Sequence, residues 1–217
     1  MTRSIIQKDC DFDILNLSPT LSYLTHSLSL SYLCLSIASL IVIGCAPSHP
    51  KVQIVTELGI VTIEVFDDAS PITAGNFLKY VDEERFDGAS FYRVVTMENQ
   101  PDNEVLIEVI QGGLGNDEDH PKRLPPIRHE TTEETGILHQ DGVISMARNE
   151  PGSADAEIFI CVGDQPELDF GGKRNPDGQG FAAFGKVIEG MEVVRRIQQQ
   201  PVEKQALIEP VKIISIR

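Results

Sequence analysis

Few side chains in this sequence are arranged for chemistry, and the one that stands out is an arginine. In SFYRVV, Ser90 to Val95, a single guanidinium interrupts a short apolar run with the composition of a β-strand. Alternation along a strand puts Arg93 on the same face as Phe91 and Val95. A guanidinium does not shed its proton, so burying it without a partner is costly. Arg93 therefore either snorkels at a sheet edge or lines a pocket that uses its charge.

Other chemistries find less support. There is no GxSxG and no papain-like cysteine signature, and the histidines at 26, 49, 120, 129 and 139 form no HExxH. His120, His129 and His139 fall in stretches without periodicity and are expected to be exposed, while Ser145 sits mid-strand in a ladder role. Cysteines 10, 34, 45 and 161 show no CxxC, which argues against a disulfide framework or a structural metal. Cys161, inside EIFICVG, is expected to be a buried small hydrophobe. The glycine-rich IQGGLG (110–115) is not followed by a helix with a lysine, so it reads as a bend and not as a phosphate loop. DFGGKRNPDGQGF (169–181) reads as a turn-rich surface loop. Acidic residues outnumber basic ones 33 to 18, a net charge of -15. That balance argues against a nucleic-acid backbone as partner, because such binding relies on Lys/Arg patches.

The elements that must position Arg93 follow from periodicity. KVQIVTE and IVTIEVF alternate around Leu58-Gly59 and predict a hairpin over 51–66. Ser70 as N-cap, Pro71 in the first turn and the stripe Ala74, Phe77, Leu78, Val81 predict a helix. Strands are expected at 90–95, 105–111, 142–148, 157–163, 181–188 and 211–217. A second helix follows Gly190, with Met191, Val194 and Ile197 on one face and Pro201 beyond its end. Many short strands with two helices imply a mainly β fold, a closed antiparallel barrel capped by helices. The polar connections 98–104 and 112–141 are long enough to be functional.

Three stretches divide the chain: 1–45, a short linker 46–50 and the domain 51–217. Leu28 to Ile43 is sixteen residues without a charge, a length that suits a signal-peptide core better than a full membrane span. VIGC (42–45) resembles a bacterial lipobox, which implies lipidation of Cys45 and tethering in the cell envelope, facing the periplasm from the outer membrane. The alternative is an uncleaved membrane anchor.

FDGASFYRVV, IQGG, GVISMAR, AEIFICVG, LDFGG and FAAFGKVIEGMEVV occur in an order that resembles the cyclophilin peptidyl-prolyl isomerases, over about 51–217. The resemblance implies an eight-stranded antiparallel barrel closed by two helices, with a substrate groove on its outer face. It implies Arg93 as the catalytic arginine and Gln111 as the groove glutamine. Phe159 and Leu168 match the proline pocket, Ala147 the groove lining and Arg148 a position that meets peptide through its backbone. Val109 and Phe181 complete the pocket wall, and Glu157 stands where a glutamine is usual. Phe181 replaces a histidine, Glu108 and Val109 replace a Phe-Met pair, and the lack of any tryptophan implies weak cyclosporin binding. The implied reaction, rotation of X-Pro bonds, needs no cofactor or metal. The expected partners are proline-containing unfolded or extended polypeptides, met by a monomer. A non-catalytic peptide-binding or chaperone module that keeps the groove is the alternative. A pairing of Glu157 with Arg93 would either hold the guanidinium or compete with substrate, and both outcomes stay open at this point.

Overall fold

Val52, Ile54 and Thr56 face inward from β1 (Lys51–Thr56), and Val61, Ile63 and Val65 from β2 (Gly59–Val65), so the two pair as an antiparallel hairpin. This hairpin opens the domain in a computed structural model that describes residues 48–115 and 117–217. The signal-like segment, Cys45 and residues 46–47 of the linker lie outside the described residues.

The remaining strands are β3 (Ser90–Val95), β4 (Val109–Gly113), β5 (Val143–Met146), β6 (Ile158–Cys161), β7 (Ala182–Glu189), β8 (Val202–Glu203) and β9 (Ala206–Ile216). Their order is β1-β2-β7-β5-β6-β4-β3-β9, and β9 pairs back onto β1. Eight antiparallel strands therefore close a barrel, which leaves no free edge among them. The ninth, β8, forms only a two-residue hairpin arm on β9. Ile54, Ile63, Phe91, Ile110, Ile144 and Ile158 are among the side chains that fill the interior.

α1 (Pro71–Asp82) and α3 (Met191–Gln198) are the two expected helices. A one-turn helix, α2 (Thr132–Thr135), adds a third inside the long polar connection, capped by the Thr131 hydroxyl and ended by left-handed Gly136. Phe77 of α1 packs 5.0 Å from Phe184 of β7, ring centre to ring centre, which seats the helix over the barrel. Ser70 does not cap α1: its hydroxyl donates to the Phe66 carbonyl. The buried Glu130 carboxylate takes that role from across the chain, accepting from Ile72 N, Thr73 N and Thr73 Oγ1 at 3.2, 2.7 and 2.7 Å. An acidic group there also meets the positive end of the helix dipole.

The expected strand at 105–111 begins later, at Val109. Side chains claim the backbone ahead of it: Gln100 donates to Ile107 O and accepts from Ile107 N, and Gln165 accepts from Glu108 N. At its other end β4 runs into Gly112 and Gly113, which were expected to form a bend. Both are strand residues because neighbouring chains approach closely. A Cβ on Gly112 would lie 2.6 Å from Ser90 O, and one on Gly113 would strike the Ala156 carbonyl and sit 2.6 Å from Glu157 Oε2. Gly113 also has φ +148. Gly113→Ala is therefore expected to lose about 3 kcal/mol or more of stability, read as a shift in the urea midpoint.

Candidate active site

A bulge decides where Arg93 points. Phe91 pairs with Gly112, yet Arg93, two residues on, pairs with Gln111, only one residue on. The extra residue, Tyr92, breaks the alternation. Phe91 and Val94 turn into the barrel core, whereas Tyr92 and Arg93 both line an outer cavity of about 960 Å³. Phe91 thus does not share the arginine's face, contrary to what strict alternation predicts. Val95 does turn outward, into a small apolar cluster beside the cavity.

The guanidinium is held by amides. Its Nη1 donates to Gln111 Oε1 at 2.7 Å, and its Nε and Nη2 both donate to Gln205 Oε1, at 3.0 and 2.6 Å. Of five N–H donors three are used, leaving two on the outer edge of the fork. Burial pulls Arg93 below the ordinary arginine pKa, and among the described residues no carboxylate pairs with it. Gln205 lies in the β8–β9 turn and is itself anchored, its Nε2 donating to Asn99 O.

Glu157 does not pair with Arg93. Its Oε2 accepts from the Tyr92 hydroxyl at 2.7 Å, and its Oε1 from Arg123 at 3.2 Å. Arg123 also binds Asp155 at 2.6 Å. Gln111 Nε2 donates to the Tyr92 oxygen, so a continuous chain runs from Arg93 through Gln111 and Tyr92 to Glu157. Burial raises the Glu157 carboxyl, with Tyr92 and Arg123 opposing, and burial together with Glu157 pushes the Tyr92 hydroxyl up. Tyr92 therefore remains a donor, and the carboxylate's charge is spent on Arg123. The catalytic candidate stays unneutralised.

Beside it lies an apolar pocket separate from the barrel core. Val95, Ile107, Val109, Phe159, Cys161 and Leu168 form it, with Ala147 and Phe181 packed against them. The Phe159 and Phe181 rings meet edge to face, 5.2 Å apart at 86°. Cys161 is buried there as expected, and its thiol is pushed up by burial. Behind Phe159 stacks His139, which with His129 is buried and not exposed as its loop position suggested. His139 Nδ1 lies 2.7 Å from Asp169 Oδ1 and its Nε2 3.0 Å from Ser145 Oγ. These three groups resemble a hydrolytic triad in order only. Ser145 is fully buried in the β5 ladder, so no substrate reaches it.

Arg93, Gln111, Val109, Phe159, Leu168 and Phe181 all line the one cavity. Ala147, Arg148 and Glu157 line it too, Glu157 beside Arg123. The Arg148 side chain is taken up by the 169–181 loop. It lies 5.3 Å over the Phe181 ring, donates to Gly180 O and grips Asp177 through both oxygens at 2.8 and 2.9 Å. That bidentate pair holds the Asp177 carboxyl down to about 2, below its ordinary 3.8. A depressed carboxyl adds stability above the ordinary value and loses it as pH falls through the folded one. Asp177→Asn should therefore be less stable than wild type near about pH 6, and the gap in urea midpoint should close between pH 3.8 and about 2.

Sequence reasoning missed Tyr92, Arg123, Arg174 and Gln205. Gln205 stands 112 residues from Arg93 and carries no local signal. Tyr92 could have been found only by knowing that β3 is bulged.

A family model described as Cyclophilin type peptidyl-prolyl cis-trans isomerase/CLD matches residues 51–217. A peptidyl-prolyl cis-trans isomerase of Acinetobacter baylyi is 30% identical over 187 residues, covering 83% of this chain and 92% of that protein. Peptidyl-prolyl cis-trans isomerase cyp18 of Streptomyces antibioticus is 35% identical, covering 68% and 82%. Among solved structures, a cyclophilin type peptidyl-prolyl cis-trans isomerase of Cryptosporidium parvum, in the presence of the dipeptide Ala-Pro, superposes with a TM-score of 0.61 at 20% identity. It covers 77% of this chain and 97% of that one, a likeness of fold.

Proposed function

This chain belongs to the family of cyclophilin-type peptidyl-prolyl cis-trans isomerases, and on that premise we propose that Arg93 is its catalytic group and that extended proline-containing polypeptides are its substrates. Rotating an X-Pro amide meets a barrier of about 18–20 kcal/mol and takes tens to hundreds of seconds unaided. Twisting ends amide resonance and returns a lone pair to the prolyl nitrogen. A site that binds the twisted amide better than either planar form speeds the rotation without any covalent step.

The observation that carries this reading is an unneutralised guanidinium, held by two glutamines, beside an apolar pocket. Its two spare donors would meet the prolyl nitrogen or the adjacent carbonyl as the bond twists. Val109, Phe159, Leu168 and Phe181 would grip the ring, and Gln111 would orient both the guanidinium and the peptide. Ala147 and Glu157 would line the approach, with Arg148 offering its backbone. A lowering of about 7–8 kcal/mol corresponds to roughly 10⁵–10⁶-fold acceleration. Exchange spectroscopy on Ala-Pro peptides with the purified protein tests the assignment: isomerisation at the uncatalysed rate rejects it.

The VIGC tetrapeptide supports a second part of the proposal, that Cys45 is lipidated and the domain serves proteins of the cell envelope. The mass of the native N-terminus, compared with that of Cys45→Ser, checks it. An unmodified Cys45 in the native protein would remove the tether.

A further inference from the structure

The groove is electrically polarised along β4. At the Val109 end the preceding residues lead to Arg174, whose Nη1 donates to Gln100 Oε1 at 2.9 Å and to Val105 O at 2.7 Å. At the Gly113 end, paired strands bring Glu157 alongside, with Arg123 and Asp155 beyond it. Arg93 stands between the two ends, opposite Gln111. Glu118 and Asp119 also line the cavity and belong to the chain that follows Gly115, which Arg123 binds through Gly115 O. One end of the groove is thus cationic and the other acidic.

Arg174 is presented for use at the cationic end. It comes from the 169–181 loop, fixed by its own N–H on Glu167 O and by the Arg148–Asp177 brace. Only its Nη1 is engaged, so Nε and Nη2 keep three donors without a partner among the described residues. It lines the same cavity as Arg93, and among the described residues neither guanidinium forms an ion pair with a carboxylate. Two cations in one cavity, both with spare donors, make a lining suited to an anionic group.

We propose that Arg174 is a specificity-determining residue that makes the groove favour substrates with an acidic side chain on one side of the proline. The inference rests on the isomerase reading of the same site. It runs against the overall charge of -15, which by itself disfavours acidic peptides. A preference for them must therefore come from the local field at this end of the groove.

The test is a set of proline peptides carrying Glu or Gln at each of two positions on either side of the proline, assayed at low ionic strength. The Glu-to-Gln ratio of kcat/KM should be about three- to five-fold at positions on one side only, and should shrink in salt. Arg174→Gln should bring that ratio to near one, and Arg174→Lys should keep at least half of the gain. Ratios of one or below at every position overturn the proposal, as do equal gains on both sides or a gain that survives Arg174→Gln. Loss of the gain in Arg174→Lys as complete as in Arg174→Gln assigns the residue a structural role and also overturns it. Gln peptides turned over well above background with a flat charge response reject this inference alone. Gln peptides left at the background rate reject the isomerase reading with it.

Discussion

Arg93→Ala is expected to lower kcat/KM for proline peptides by about 10²–10³-fold, the loss typical of removing one preorganised donor from a transition state. Its folding stability should move by only about 1 kcal/mol, because the partners left behind, Gln111 and Gln205, are only partly buried. Paired measurements of kcat/KM and urea midpoint separate the two effects. A companion variant isolates charge from position. Gln205→Glu keeps the size and reach of the side chain that holds Nε and Nη2, but puts a carboxylate 2.6–3.0 Å from the guanidinium. If an unneutralised arginine is what the twisted amide meets, activity should fall by about tenfold, although the arginine is held at least as firmly. Unchanged activity in Gln205→Glu would mean that Arg93 works by shape and not by charge.

Glu130→Ala is expected to remove about 3 kcal/mol of stability, although Glu130 lies outside the groove. The carboxylate satisfies two backbone N–H groups at the start of α1 and the Thr73 hydroxyl, all from nearly sixty residues away. Its loss leaves buried donors without acceptors and removes the negative charge facing the helix N-terminus. At about 2–4 °C per kcal/mol for a domain of this size, the melting temperature should drop by roughly 6–12 °C. Glu130→Gln keeps one acceptor oxygen and should lose less than half as much. The kcat/KM of both variants, measured well below the transition, should stay within about twofold of wild type. A melting temperature unmoved by Glu130→Ala would show that water replaces the cap.

The two predictions differ in how far the sequence foretells them. Arg93 is legible because a charge in an apolar strand is anomalous wherever it occurs, and the ordered motifs around it resemble a known family. Glu130 gives no such sign: an acid in a polar connection reads as a solvated loop residue, and Ser70-Pro71 offers a local cap that the structure does not use. His139 is the same case, a polar residue outside any periodic run that closure of the barrel buries behind Phe159. Strand limits moved for a related reason. The 105–108 backbone is strand-like in composition, but Gln100 and Gln165 reach it before a neighbouring strand can.

By itself, the sequence determined most of the barrel strands and the two longer helices, because alternation, turn residues and apolar stripes depend on near neighbours along the chain, and its ordered motifs pointed to Arg93 and part of the groove lining by resemblance to a known family. Only the tertiary structure decided what surrounds Arg93. The bulge at Tyr92 sets the direction of its side chain, and barrel closure brings Gln205 to it from 112 residues away. The same closure gives Glu157 to Arg123 and Tyr92. Which charges meet inside a folded chain depends on segments that share no local pattern, and so the partner of the arginine could not be read until the strands were in register.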